Sequence, residues 1–373
     1  MCLDPVSSQF GLDRFENLAE SKTLSYNLKK SSIVILGKKN AREKMIEKFE
    51  ETLSRIYDKS LDIVNHESYL GDEIGINTSE SITLTINKRI GLAKKAIFEI
   101  KNIVEDCRSK VIGGIKSGIL IWESCVIPFL LNNCSTWINM KKWDTDRLNK
   151  LQNLFLNTLL NVKHCPIPIM YLDLSILTIP MRILQEKLIL YHHISSLPDS
   201  AIAKKILQIQ ENLHLPSLYR EIDKFLIENE ICDVRKFSKR EWKAFVRRKI
   251  LTANQEFLLE SSKNYKKIDS ISLATEKWGI KDYFSQLNLT QARIKFRERA
   301  KCMNKCKRHY SNDYESIRTK FVCPSCNSDS VDVLSHWRLC PSYEMFREFR
   351  NLNVDEDLMA YYQDIIAYRS AED

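Results

Sequence analysis

Apolar positions along this chain recur mostly with the period of an α-helix. Met45, Phe49 and Leu53 fall at i, i+4 and i+8 within 40–56, and Leu148, Leu151, Phe155 and Leu159 share one face after Asp144. Both patterns predict amphipathic helices. Residues 6–21 read as a helix too, as does a long run from Ile82 to about Cys107. Asn77 to Ser81 offers N-cap side chains for that run. Gly113-Gly114 breaks the pattern, and a second apolar helix is expected to reach about Pro128. Pro166, Pro168 and Pro180 punctuate the next stretch before MRILQEKLILYHHI resumes helix, and 200–290 continues as helices broken at Pro216 and Gly279. Strand character is confined to the beginning: Leu24 to Gly37, with the β-branched run Ser31 to Leu36, and 61–76, punctuated by Gly71 and Gly75. The expected fold is mainly α with a small α+β N-terminal part.

A length of 373 residues with 44% hydrophobic content can bury one large core or several smaller ones. The apolar run Ile119 to Leu131 is interrupted by Glu123 and Pro128 and is too short to span a bilayer, and the N-terminus lacks a basic and an apolar region of signal-peptide type. No membrane partner and an intracellular setting are expected. Eleven cysteines, mostly scattered singly, read as reduced thiols. The formal net charge of +9 permits a polyanionic partner.

That charge is uneven. Arg235 to Lys249 holds eight basic residues against one Glu, with Phe237, Trp242 and Phe245 interleaved; Arg293 to Arg308 again holds eight, against Glu298. The stretch after Pro341 instead carries Glu344, Glu348, Asp355, Glu356, Asp357, Asp364, Glu372 and Asp373. A basic helix face can be merely solvated, but two of them beside a metal-type motif point toward nucleic acid.

The motif is CPSCNSDSVDVLSHWRLC. It pairs Cys323-x2-Cys326 with His336-x3-Cys340. Two thiolates in a tight turn can bite one ion, and a short helix capped by Asp332 would place His336 and Cys340 on one face toward it. All four positions are filled, so the expected ion is a structural Zn2+ rather than a catalytic one. Cys302, Cys306 and His309 form a rival set with less usual spacing. His192-His193 is expected to be helix surface and core edge, because adjacent helical residues diverge. No phosphate-loop, dinucleotide-binding, HExxH or GxSxG signature occurs, nor any Asp-Asp dipeptide; Gly37-Lys38-Lys39 lacks the other residues of a phosphate loop.

LSYNLKKSSIVILG, SYLGDEIG, a long helix, VIPFLLNNCSTWI, RLNKLQNLFLNTLLNV with HCPIPIM, a basic helix and CPSC…HWRLC stand in that order. Together they resemble the C-terminal half of a non-LTR (LINE-like) retrotransposon reverse transcriptase over roughly residues 10 to 350. The resemblance implies a truncated palm remnant with a primer-grip-like hairpin at 1–77. A thumb-like helical bundle at 78–163 and a helical linker at 164–290 would follow. The basic helix and zinc knuckle would take 291–350, and an acidic tail 351–373. It makes Lys30-Ser31 a palm element, Tyr69, Leu70 and Gly71 the hairpin that grips a primer end, and Trp137 and Gln152 thumb positions. Cys323, Cys326, His336 and Cys340 become the family's terminal Cys-Cys-His-Cys element. RNA or DNA contacts are expected at Lys30, Arg235, Lys239, Arg240, Lys243, Arg247, Arg248, Arg293, Lys295, Arg297, Arg299, Lys301 and Trp337.

The family's catalytic aspartates, which hold Mg2+, belong to an element upstream of this stretch. Without them the chain is expected to bind nucleic acid and not to polymerise. A nuclear setting would fit the family. Two alternatives stand beside this: a piece of an active RNA-directed DNA polymerase from an incomplete gene model, and a host-adopted zinc-containing scaffold for protein partners.

Overall fold

The computed structural model describes residues 5–22, 31–52, 55–56, 59–106, 113–163, 165–212, 216–265, 278–300, 326, 334–347, 350, 352 and 355–371. Among the described residues the protein is mostly helical, with strands only before residue 75. Three short strand pairs occur there. Ser32–Val34 runs parallel to Asp62–Val64, with the Lys39–Thr52 helix in the crossover between them, as parallel pairing requires. Arg55–Ile56 pairs antiparallel with Lys59–Ser60, and Glu67–Tyr69 with Asp72–Ile74.

The helices largely follow the apolar period. The long one spans Thr78–Asp106 and buries Ile82, Ile86, Ile90, Ala93, Ile97, Ile100 and Val104. The second apolar helix is not uniform: Gly114–Ile121 passes through a widened π turn, Trp122–Val126, into Ile127–Leu130. Pro128 has no N–H to give the carbonyl four residues back, and the ladder widens just before it. Lys142–Leu160 buries Leu148, Leu151, Phe155 and Leu159 as expected, and Phe155 stacks on Trp122 with ring centroids 4.2 Å apart. Where prolines were read as punctuation, the protein forms two helices, Ile167–Leu174 and Ile179–Ser195, each with its proline in the first turn. There the missing N–H costs nothing.

Two compact units emerge, each assembled from separated stretches rather than from the consecutive segments the sequence suggested. One combines Met1–Gly91, Asn133–Asp146 and Leu197–Cys232. The other combines Leu92–Asn132, Arg147–Ser196 and Asp233–Asp373. In the second, the Lys239–Ser262 helix packs on Ile167–Leu174 and Ile179–Ser195, and the Leu289–Arg299 helix packs on Asp355–Ala371. The stretch read as an acidic tail is thus, over Asp355–Ala371, a helix that buries Leu358, Met359, Tyr361, Tyr362 and Ile365. Asp357 and Asp364 on it are half-buried, and Asp364 pairs with Arg350. Among the described residues no single helix is long and apolar enough to cross a membrane.

Candidate metal centre and nucleic-acid interface

A short helix, Leu334–Trp337, turns the chain so that Leu339 N donates to His336 O at 2.8 Å and Tyr343 N donates to Cys340 O at 3.1 Å. His336 and Cys340 are thereby aimed at Cys326. One ligand atom from each of the three lies within 4.8 Å of the others, and this Cys-His-Cys group could hold a metal ion. Cys326 Sγ and His336 Nε2 are 3.4 Å apart. A tetrahedral ion bonded at about 2.3 Å to sulfur and about 2.0 Å to nitrogen sets roughly 3.5 Å between such atoms, so the donors fit. Cys323, Asp332 and the rival set Cys302, Cys306 and His309 lie outside the described residues.

What sequence reasoning missed is the bracing around this group. Arg347 Nη1 donates to Arg338 O at 2.8 Å and to Cys340 O at 2.9 Å. The Tyr361 hydroxyl donates to Trp337 O, and Arg338 Nε donates to the Tyr362 hydroxyl. Trp337, whose sequence position favours packing on the knuckle over stacking on a base, is only 4% exposed and packs edge-on against Tyr343 and Tyr362. It has no face to offer a base. The aromatic pair Tyr361-Tyr362 within an acidic run was the available signal, since aromatics are seldom spent on a solvated tail.

The hairpin holding Tyr69, Leu70 and Gly71 is tight. Tyr69 faces Asp72 in register, so Leu70 and Gly71 alone make the turn, with φ of 50° and 86°. Positive φ at both turn positions matches the twist of the flanking strands. Glycine takes that conformation easily; leucine does so at a cost of roughly 1–2 kcal/mol. Tyr69 and Leu70 are 62% and 78% exposed. Beneath the tip, buried Arg89 donates to Gly71 O at 3.1 Å and to Asp72 at 2.5 Å, with its guanidinium 5.8 Å from the Trp137 ring centroid. Burial pulls the Arg89 guanidinium down from its ordinary value, against Asp72 and Cys134. Asn133 also donates to Asp72, and Lys88 bridges Glu73 and Ser68. Burial pushes the Glu73 carboxyl up, but hydrogen bonds from Lys88 and Ser68 outweigh it and hold it below its ordinary value. Trp137 therefore braces this hairpin, whereas buried Gln152 donates to Leu177 O instead. A pocket of about 460 Å³ beside the hairpin is lined by Leu36, Ile74, Ile82 and Trp137 together with Asn77 and Ser81.

The two basic stretches are used differently. From the second, Arg293 donates to Leu159 O at 3.0 Å and pairs with Glu105 at 3.3 Å. Burial lowers its pKa, against Glu105. Arg297 donates to Asn161 O at 2.6 Å, and Arg299 grips fully buried Asp173 through two bonds of 3.0 and 3.1 Å while the Tyr283 hydroxyl donates to the same carboxylate. Lys295 is half-buried on that helix. The expectation that these guanidinium groups wait for phosphates is corrected: they fasten the Leu289–Arg299 helix to its own unit.

In the first stretch, Arg235 is bonded to Asp233, whose carboxyl it holds below the ordinary range. Lys239, Arg240, Arg247 and Arg248 are exposed and Lys243 half-exposed. The interleaved aromatics turn inward: Trp242 is 1% exposed, donates to Leu188 O at 2.9 Å and packs with Phe237, Phe245 and His192. His192 is buried with Nε2 at 2.9 Å from Phe237 O, and His193 is exposed, so the pair diverges as expected. Lys30 and Lys301 lie outside the described residues. No family model matches the chain, and neither does any curated protein or solved structure.

Proposed function

We propose that this chain is a nucleic-acid-binding protein of the non-LTR reverse-transcriptase kind, contributing a primer-grip-like hairpin, a thumb-like helical region and a zinc knuckle. The observation that carries the reading is the hairpin tip. Tyr69 and Leu70 stand in solvent on a two-residue turn in which a leucine is held at positive φ, pinned from below by Arg89. Strain kept at an exposed apolar tip makes sense where the tip touches something. In the proposed role the tip bears on the backbone at a primer end, and Gly71 lets it approach closely. The knuckle would hold one structural Zn2+ through Cys323, Cys326, His336 and Cys340. In support, its three described donors lie within 4.8 Å of one another, with Cys326 Sγ 3.4 Å from His336 Nε2.

The test is binding of the purified chain to a labelled RNA template–DNA primer and to a blunt duplex of the same length. Weak, salt-dependent, sequence-independent binding that prefers the recessed end is expected, with the preference lost in Tyr69→Ala/Leu70→Ala. Equal binding to both substrates by the parent chain counts against a primer grip. Metal analysis tests the knuckle: about one zinc per chain is expected, lost in Cys340→Ser.

A second reading, a scaffold for protein partners, is favoured by one feature. Ile202, Ile206 and Ile209 are 76%, 49% and 57% exposed at i, i+4 and i+7 of the Ile202–Asn212 helix. Absence of nucleic-acid binding at low salt would move the conclusion there.

A further inference from the structure

We infer that one face of the Lys239–Ser262 helix, the row Arg240, Lys243 and Arg247, is the phosphate-contacting surface of this protein; the inference rests on the nucleic-acid reading above and gives it an address. The row is fixed by helical geometry. Trp242, Val246, Ile250 and Asn254 are buried at successive intervals of four and define the inner face. Positions 240, 243 and 247 lie at i, i+3 and i+7 and therefore share a ridge away from the centre of that face. Arg240 and Arg247 are exposed and Lys243 is half-exposed.

Among the described residues no carboxylate lies within ion-pair distance of these three, although many other cations in the protein have one. Glu241, the one acid of the stretch, is engaged in the capping box with Ser238 and has its carboxyl lowered by that hydrogen bond. Three like charges without counter-charges on one ridge repel one another, and a polyanion relieves that repulsion.

The platform beneath the row is rigid. The Trp242 indole donates to Leu188 O at 2.9 Å, and Asn254 Oδ1 accepts from both Thr178 N and Thr178 Oγ1 at 3.0 Å. A helix rises about 1.5 Å per residue, so the row is about 10 Å long. A nucleic-acid strand carries one phosphate at every nucleotide, so neighbouring phosphates of one strand can each meet a cation of the row. Trp242 is buried, and Phe237 and Phe245 are half-buried against it, so the row itself offers charge rather than a base-stacking surface, which makes its contact electrostatic and indifferent to sequence. An acidic protein segment offers the same charge, but side chains on a folded chain rarely repeat so regularly. A nucleic-acid strand is thus the fitted partner.

The experiment titrates labelled single-stranded RNA and duplex DNA with the full chain and with Arg240→Ala/Lys243→Ala/Arg247→Ala, from 50 to 300 mM salt. A control removes three exposed lysines outside the proposed binding elements, Lys205→Ala/Lys224→Ala/Lys263→Ala. Circular dichroism and metal content check that both variants fold. The row variant is expected to lose about tenfold or more in affinity for every sequence at low salt. Its log–log salt slope should fall by roughly two to three units, at 0.7 to 0.9 per lost contact, while the control changes little. Binding by the parent with an unchanged slope in the folded row variant overturns this inference alone. No binding by the parent overturns the nucleic-acid reading itself. Tighter, row-dependent binding of a polyglutamate peptide than of either nucleic acid overturns the choice of partner.

Discussion

Tyr171 is buried at 2% exposure, and its hydroxyl donates to Asn153 at 2.8 Å. Burial pushes the phenol from 10.0 up to about 12. Its neutral form is thus favoured in the folded chain, and the stabilisation this gives is complete below pH 10 and lost as pH rises toward 12. Two units correspond to about 2–3 kcal/mol. Urea titrations from pH 9 to 12 should show the parent losing stability more steeply than Tyr171→Phe, and parallel curves would remove the claim. Leu70 invites an opposite experiment. Leu70→Gly gives up little burial and relieves the left-handed strain, offset by about 0.5–1 kcal/mol of extra unfolded-state freedom. Its midpoint should be unchanged or slightly raised, while the proposed preference for recessed primer ends falls. A marked loss of stability would show that Leu70 is structural. The sequence marked the turn, because Gly71 punctuates the strand-like run 61–76. It did not show Arg89 beneath it, whose Asp72 partner lies 17 residues away on another element.

Between elements, close approach is concentrated at Gly118 in the Gly114–Ile121 helix. A Cβ there would sit 2.7 Å from Leu159 Cδ1 and 3.1 Å from Val104 Cγ2. Alanine would add about 1 kcal/mol of helix propensity, but overpacking a core costs about 1–3 kcal/mol. Leu159 is 1% exposed and Val104 3%, so neither has room to retreat. The steric cost should win: Gly118→Ala is expected to be destabilised by up to about 2 kcal/mol in urea unfolding, and a stabilised variant would contradict the packing. Helices with long apolar periods were legible in the sequence, as Leu148 to Leu159 shows. Ile167–Leu174 was not, because a proline inside the first turn looks the same on paper as one that stops a helix. The uses of Arg293 were hidden for another reason. Its partners Leu159 and Glu105 are 134 and 188 residues away, and a basic run carries no mark of which cations will find buried acceptors.

At the scale of the molecule, the sequence reading held for the mainly helical fold and for the grouping of Cys326, His336 and Cys340, and it did not foresee the helix over Asp355–Ala371. Counting acids does not show that Leu358, Met359, Tyr361, Tyr362 and Ile365 fall on one helix face and are buried. That face is tied to the metal group through Tyr361 to Trp337 O, Arg338 to Tyr362, and the packing of Trp337 on Tyr343 and Tyr362. Cys340 is itself fully buried, with its carbonyl bonded to Arg347. An ion held by the group would therefore hold more than a loop. Metal binding in such small units is worth on the order of 10 kcal/mol, comparable to the whole stability of a domain. Removing the ion should leave three thiol or imidazole groups crowded without a bridging charge and release the aromatic packing above them. Hydrogen exchange with and without a strong chelator reads this directly. Amides of 334–347 and 355–371 are expected to lose protection together on chelation, while those of the 67–74 hairpin keep theirs. Loss confined to 334–347 would mean that the C-terminal helix docks without the metal, and its burial would then be owed to the apolar face alone.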